Sequence, residues 1–107
     1  MKLKTLIVDD EPPARERLAS LLAEIGDVLL VGEGASGREA LELTMDLSPD
    51  VVLLDVRMPH MDGLACLDEI KRRHPEIKVV MLSASTSQEL VEAALRRAGR
   101  ELVAFLA

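Results

Sequence analysis

Val51-Val52-Leu53-Leu54-Asp55 is an unbroken apolar run closed by a carboxylate, and Leu6-Ile7-Val8-Asp9-Asp10 has the same form near the amino terminus. Apolar residues at every position are what a parallel strand covered on both faces requires. If the two runs are neighbouring parallel strands, Asp9, Asp10 and Asp55 meet at the carboxyl edge of one sheet, where open α/β folds place their ligands. Alone, Asp9 or Asp10 reads as a turn or helix-cap carboxylate; the meeting with Asp55 is what makes a site. Three acids held together repel, and a raised pKa or a bound cation relieves them. Oxygen-only ligands select a hard cation, Mg²⁺ above all. A carboxylate beside Mg²⁺ can accept a phosphoryl group, because the metal neutralises charge on the transferring oxygens.

Working outward from these runs, the chain alternates strand and helix. Residues 2–8 predict a first strand. Pro12 and Pro13 then open a helix, since proline's missing N–H costs nothing in the first turn. Ala14, Leu18, Leu21, Leu22 and Ile25 recur at helical spacing, with Arg15, Glu16, Arg17 and Glu24 outside, and Gly26-Asp27 stops the helix. Residues 28–31 form a short second strand, and Gly32-Glu33-Gly34 a loop. Ser36 with Glu39 is a capping-box pattern, opening a helix that carries Ala40, Leu41, Leu43 and Leu47 to Ser48-Pro49. After Asp55 comes a loop punctuated by Pro59 and Gly63, then a third helix marked by Leu64, Leu67, Asp68 and Ile70. Residues 79–82 predict a fourth strand. Thr86 with Glu89 suggests a fourth helix carrying Leu90, Val91, Ala94, Leu95 and Ala98. Short links between alternating strands and helices mean a parallel sheet between helices, because each crossover is right-handed.

Composition narrows the function classes. A chain of 107 residues is one domain, read here as residues 1–107. Phe105 is its only aromatic residue, which nearly excludes base stacking. A net charge of −6 repels a nucleic-acid backbone, although solubility alone also explains it. Cys66 has no partner for an internal disulfide and reads as a small core residue. With no apolar run approaching a membrane span and no signal segment, the cytoplasm is the expected location. His60 and His74 have no second histidine or cysteine at ligand spacing. Asp62 reads as a helix cap and Met58, Met61 and Met81 as packing residues.

Leu6-Ile7-Val8-Asp9-Asp10-Glu11-Pro12, then Asp55-Val56-Arg57-Met58-Pro59-His60-Met61-Asp62-Gly63, then Met81-Leu82-Ser83-Ala84 resembles, in order and spacing, the receiver domain of bacterial two-component response regulators. The match is strong over residues 3–99. The resemblance implies a flavodoxin-like, doubly wound parallel sheet in the order 2-1-3-4-5. It makes Asp55 the phosphoacceptor, Asp10 a direct Mg²⁺ ligand, Asp9 a ligand acting largely through water, and the main-chain carbonyl of Arg57 a further ligand. Ser83 matches the hydroxyl that contacts the phosphoryl group, and the small Ala84 leaves that group room. The implied partner is a sensor histidine kinase.

The tail departs from the family pattern. The family carries a lysine at the end of the fifth strand, and no lysine follows Lys78 here. Counting from Gly99 puts Leu106 in its place, and Phe105 fits the family's switch aromatic only if the lysine stood just beyond Ala107. Residues 100–107 are therefore divergent or truncated, and the last helix is missing. Leu90, Val91, Ala94, Leu95, Ala98, Leu102, Phe105 and Leu106 also fit one helical face. Two expectations follow, a fifth strand or a continuous fourth helix that leaves an edge of the fourth strand exposed. Both favour self-association through the fourth helix and strand and the tail. Three functions compete: a phosphoacceptor switch, a phosphate-independent dimerisation module with a degenerate pocket, and a phosphatase with Asp55 as nucleophile. The phosphatase reading wants an acid two residues later, where Arg57 stands.

Overall fold

A computed structural model of the protein describes residues 2–55 and 63–82 in full and residues 103–105 as backbone. The elements are β1 (Leu3–Val8), α1 (Pro12–Ala23), β2 (Val28–Gly34), α2 (Gly37–Leu47), β3 (Val51–Asp55), α3 (Gly63–Arg73), β4 (Lys78–Leu82) and β5 (Val103–Phe105). All adjacent strands are parallel, in the order β2-β1-β3-β4-β5. This is the doubly wound, flavodoxin-like sheet expected from the sequence. The fifth strand is present, with Val103, Ala104 and Phe105 paired to Val79, Val80 and Met81. A helix continuous to the end of the chain is thereby excluded, and the β4 edge expected to lie open is occupied by β5. The predicted fourth helix lies outside the described residues.

The uniform apolar strands follow from burial on two faces. Leu6 and Val8, Val52 and Leu54, and Val79 and Met81 turn to one side, where Ala40 of α2 and Cys66, Leu67 and Ile70 of α3 cover them. Ile7, Val51, Leu53, Val80 and Leu82 turn to the other, against Leu18 and Leu22 of α1. Leu64, one of the residues that mark α3 in the sequence, is 53% exposed. The buried arc of α3 runs through Gly63, Cys66, Leu67 and Ile70, and one residue past Gly63 is a rotation of about 100°, which carries Leu64 off it.

The capping box at α2 forms with a variation. The Ser36 hydroxyl accepts from Glu39 N at 3.2 Å, while Glu39 Oε2 reaches past Ser36 to accept from Ala35 N at 3.3 Å. At its other end, Ser48 takes the left-handed conformation with φ 46°, and Pro49 ends the helix. Asp50 then ties three strands at the amino edge. Its carboxylate accepts from Lys4 N at 2.8 Å, its N–H donates to Lys4 O at 2.8 Å, and its carbonyl accepts from Lys78 N at 3.1 Å.

β2 is longer than expected, because Gly32-Glu33-Gly34 continues the strand rather than forming a loop. A bulge explains the misreading. Thr5 pairs with Leu30 and Leu6 with Gly32, so Val31 is extra. Before the bulge Val28 and Leu30 pack on the α1 side. After it the alternation flips, and Gly32 and Gly34 lie beneath Leu47 and Leu43 of α2. A Cβ on Gly32 would stand 2.8 Å from the end of the Leu47 side chain, so a larger residue there would make Leu47 shift. The same flip turns Glu33 toward α1.

Candidate functional site

β1 and β3 are adjacent, with Val8 opposite Leu54, so the residues that follow leave the sheet at the same edge. Asp9, Asp10 and Asp55 come together there, half-buried, each offering a carboxylate oxygen within 4.8 Å of the others. Ile7, Val8, Leu53 and Leu54 are at most 1% exposed, so the strands that carry these acids are held by the core. The main chain locks the cluster further. Asp9 N donates to Gly34 O at 3.0 Å, and Asp9 Oδ1 accepts from Glu11 N at 3.0 Å, an Asx turn at the entry to α1. Pro12, at the first helical position, fixes the exit.

Burial, before any other cause, pushes the Asp9 carboxyl above the ordinary range; the Asp10 charge and a side-chain hydrogen bond with Asp10 act in the same direction. The Glu11 N–H and the Arg15 charge oppose it. A bound cation would offset both the burial of these carboxylates and their mutual repulsion. The donor set is oxygen alone, which fits a hard divalent ion.

Arg15, expected on the outer face of α1, instead turns inward. Its side chain is 20% exposed, Nη1 donates to the carbonyl oxygen of Asp9 at 2.6 Å, and Nε stands 3.8 Å from Glu33 Oε1. Periodicity alone does not reveal this, because a long side chain at the flank of the apolar stripe can fold back along the helix end. Glu16, Arg17 and Glu24 do face outward, as expected.

Of the other expected residues, Cys66 is fully buried and Met81 packs in the core. Burial pushes the Cys66 thiol up to about 11. His74 lies 3.9 Å from Glu76 at the end of α3, remote in sequence and sheet edge from the acids. Arg57, Ser83, Ala84, His60, Asp62, Met58 and Met61 lie outside the described residues. Among the described residues, no helix is long and apolar enough to cross a membrane.

A parallel sheet in this order with three acids at its carboxyl edge is a flavodoxin-like, doubly wound domain with an acidic site where such folds place their ligands. The family model "Response regulator receiver domain" matches residues 5–104, and the chain belongs to that family. It is similar to the response regulator protein VraR of Staphylococcus epidermidis, 42% identical over 95 residues that make up 89% of this chain and 46% of that protein. The Staphylococcus aureus VraR is 41% identical over the same length. The chain thus spans about half the length of these relatives. Among solved structures, the signal receiver domain of the putative response regulator NarL from Mycobacterium tuberculosis superposes with a TM-score of 0.75 at 36% identity, covering 98% of this chain and 82% of that one. The response regulator domain of Thermotoga maritima CheB gives 0.78 at 29% identity, covering 100% and 78%.

Proposed function

We propose that the chain is a cytoplasmic phosphoacceptor switch, in which Asp55 receives a phosphoryl group from the phosphohistidine of a sensor histidine kinase. The observation that carries this reading is the convergence of three carboxylates on one sheet edge, within 4.8 Å of one another. Asp9, Asp10 and Asp55, with the main-chain carbonyl of Arg57, would hold Mg²⁺. Bound there, the ion supplies neutralisation of charge on the transferring oxygens. Asp55 lies at the end of a strand whose position the core fixes, so its carboxylate is presented rather than free to retreat. In the transfer, an Asp55 carboxylate oxygen forms the new P–O bond as the P–N bond breaks, and the imidazole leaves with the electron pair and takes up a proton. The Ser83 hydroxyl contacts the phosphoryl group and passes the change to the segment that follows β4, through which the chain self-associates. This is a switching event on the protein itself rather than turnover of a metabolite. The net charge of −6 disfavours direct contact of this domain with a nucleic-acid backbone.

Intact mass after incubation with acetyl phosphate and Mg²⁺ tests the reading. One added phosphoryl group is expected, lost in Asp55→Ala and lost when the metal is chelated. A folded chain that gains no mass would overturn it in favour of a phosphate-independent dimerisation module with a degenerate pocket.

A further inference from the structure

We propose that Arg15 is a positioning residue for the acidic site, gripping the single peptide unit that joins Asp9 to Asp10 and so fixing the aim of both carboxylates toward the cation. The inference rests on the reading of the triad as a Mg²⁺ site, and it concerns a residue that touches none of the reacting atoms.

The carbonyl oxygen of Asp9 belongs to the Asp9–Asp10 peptide. A change of ψ at Asp9 swings that carbonyl together with the chain beyond it, so the carboxylates of Asp9 and Asp10 turn relative to one another. Asp9 is already fixed on its other side, where its N–H donates to Gly34 O at 3.0 Å. The 2.6 Å bond from Arg15 Nη1 closes the remaining freedom. A guanidinium donor makes this a charge-assisted bond, shorter and stronger than its neutral counterpart.

Arg15 is itself held. It lies in the first turn of α1, where Arg15 N donates to Glu11 O at 3.1 Å. Its outer side faces Glu33 across 3.8 Å. Glu33 stands on that side because the bulge at Val31 reverses the alternation of β2. The bulge, the acidic residue and the arginine thus form one chain of contacts ending on the Asp9 carbonyl.

The positive charge of Arg15 opposes a cation, while its grip preorganises the ligands. These effects predict opposite results when Arg15 is replaced, and the proposal commits to the grip. Calorimetric titration with Mg²⁺ alone, on the folded wild type and on Arg15→Met, Arg15→Lys and Glu33→Gln, separates them. Expected is a loss of affinity of roughly tenfold in Arg15→Met, the scale of one charge-assisted hydrogen bond. Arg15→Lys, which keeps a donor of similar reach, restores most of it, and Glu33→Gln changes it little. Equal or tighter binding by folded Arg15→Met overturns the proposal and leaves the arginine as a mere opposing charge. Failure of the wild type to bind Mg²⁺ overturns the metal-site reading and this inference with it. If Arg15→Met does not fold, side-chain NMR of the wild type decides. The grip requires hindered rotation of the Arg15 guanidinium, and free rotation refutes it.

Discussion

Asp9→Asn should stabilise the metal-free protein and weaken its response to magnesium. Asparagine keeps an oxygen that can accept the 3.0 Å bond from Glu11 N, so the Asx turn survives and the change is one of charge. Two unit charges at the 4.8 Å limit of this cluster repel by about 0.9 to 3.5 kcal/mol for effective dielectric constants of about 80 and 20. Asp9 has two such neighbours, but it is half exposed, is screened by salt and loses its attraction to Arg15. A net gain of about 1–2 kcal/mol is expected, or roughly 5–10 °C in melting temperature for a domain of this size. Magnesium at a hundredfold excess over its dissociation constant would add about 2.7 kcal/mol to the wild type, whereas a variant binding tenfold more weakly gains about 1.4 kcal/mol. The advantage of Asp9→Asn in chelator should therefore nearly vanish in magnesium.

Urea and thermal unfolding followed by far-UV circular dichroism, with chelator or with magnesium, measure both arms. A pH series supplies the sign check. The folded state raises the Asp9 pKa, so it binds the proton more tightly than the unfolded chain does. This contribution makes metal-free stability rise as pH falls from neutral through the raised pKa toward the ordinary carboxylate value. That part of the pH dependence should be missing in Asp9→Asn. A variant less stable than wild type in chelator, or one that gains as much from magnesium as wild type, refutes the electrostatic account of the cluster.

Asp50→Ala removes the acceptor for Lys4 N at the opposite edge and should cost about 1–3 kcal/mol in urea unfolding, with magnesium affinity unchanged. Ile70→Ala opens a cavity beneath α3 at a fully buried position and should cost about 2–5 kcal/mol by the same assay. The Cys66 thiol, buried and raised to about 11, should react with a thiol reagent at neutral pH only as fast as the protein opens, and at once in denaturant. Rapid reaction of the native protein would contradict its burial.

The strands that position the site were legible because their burial on two faces leaves a one-letter signature: Leu6-Ile7-Val8 and residues 51–54 contain nothing polar. The pairing of Asp9 and Asp10 with Asp55 followed from strand adjacency. Two features resisted reading. The bulge at Val31 depends on the match between β1 and β2 across space, so Gly32-Glu33-Gly34 looked like a loop when judged by local composition. Arg15 carried the wrong label for a related reason. Helical periodicity assigns the Cα–Cβ direction, and the far end of an arginine can lie on either side of it. The tail was ambiguous because Leu102, Phe105 and Leu106 suit strand and helix alike, and pairing with β4 decides for the strand.

The same arrangement explains why the acids remain together despite their repulsion. A surface carboxylate ordinarily escapes a like charge by rotating its side chain or shifting its loop, and here both exits are narrowed. The Cα of Asp9 and that of Asp55 are fixed by adjacent buried strands. The loop after Asp9 is held by the Glu11 N–H, by the prolines that open α1 and by the Arg15 guanidinium. Repulsion that cannot relax by movement persists as destabilisation of the metal-free state, which a cation removes on binding. On the Mg²⁺-site reading proposed above, the core contributes to cation affinity from a distance. A cavity mutation that lets β1 slide from β3 should weaken magnesium binding as well as stability, whereas Asp50→Ala, which loosens only the far edge, should affect stability alone. Equal loss of magnesium affinity in both would show that the acids are not held by the strands behind them.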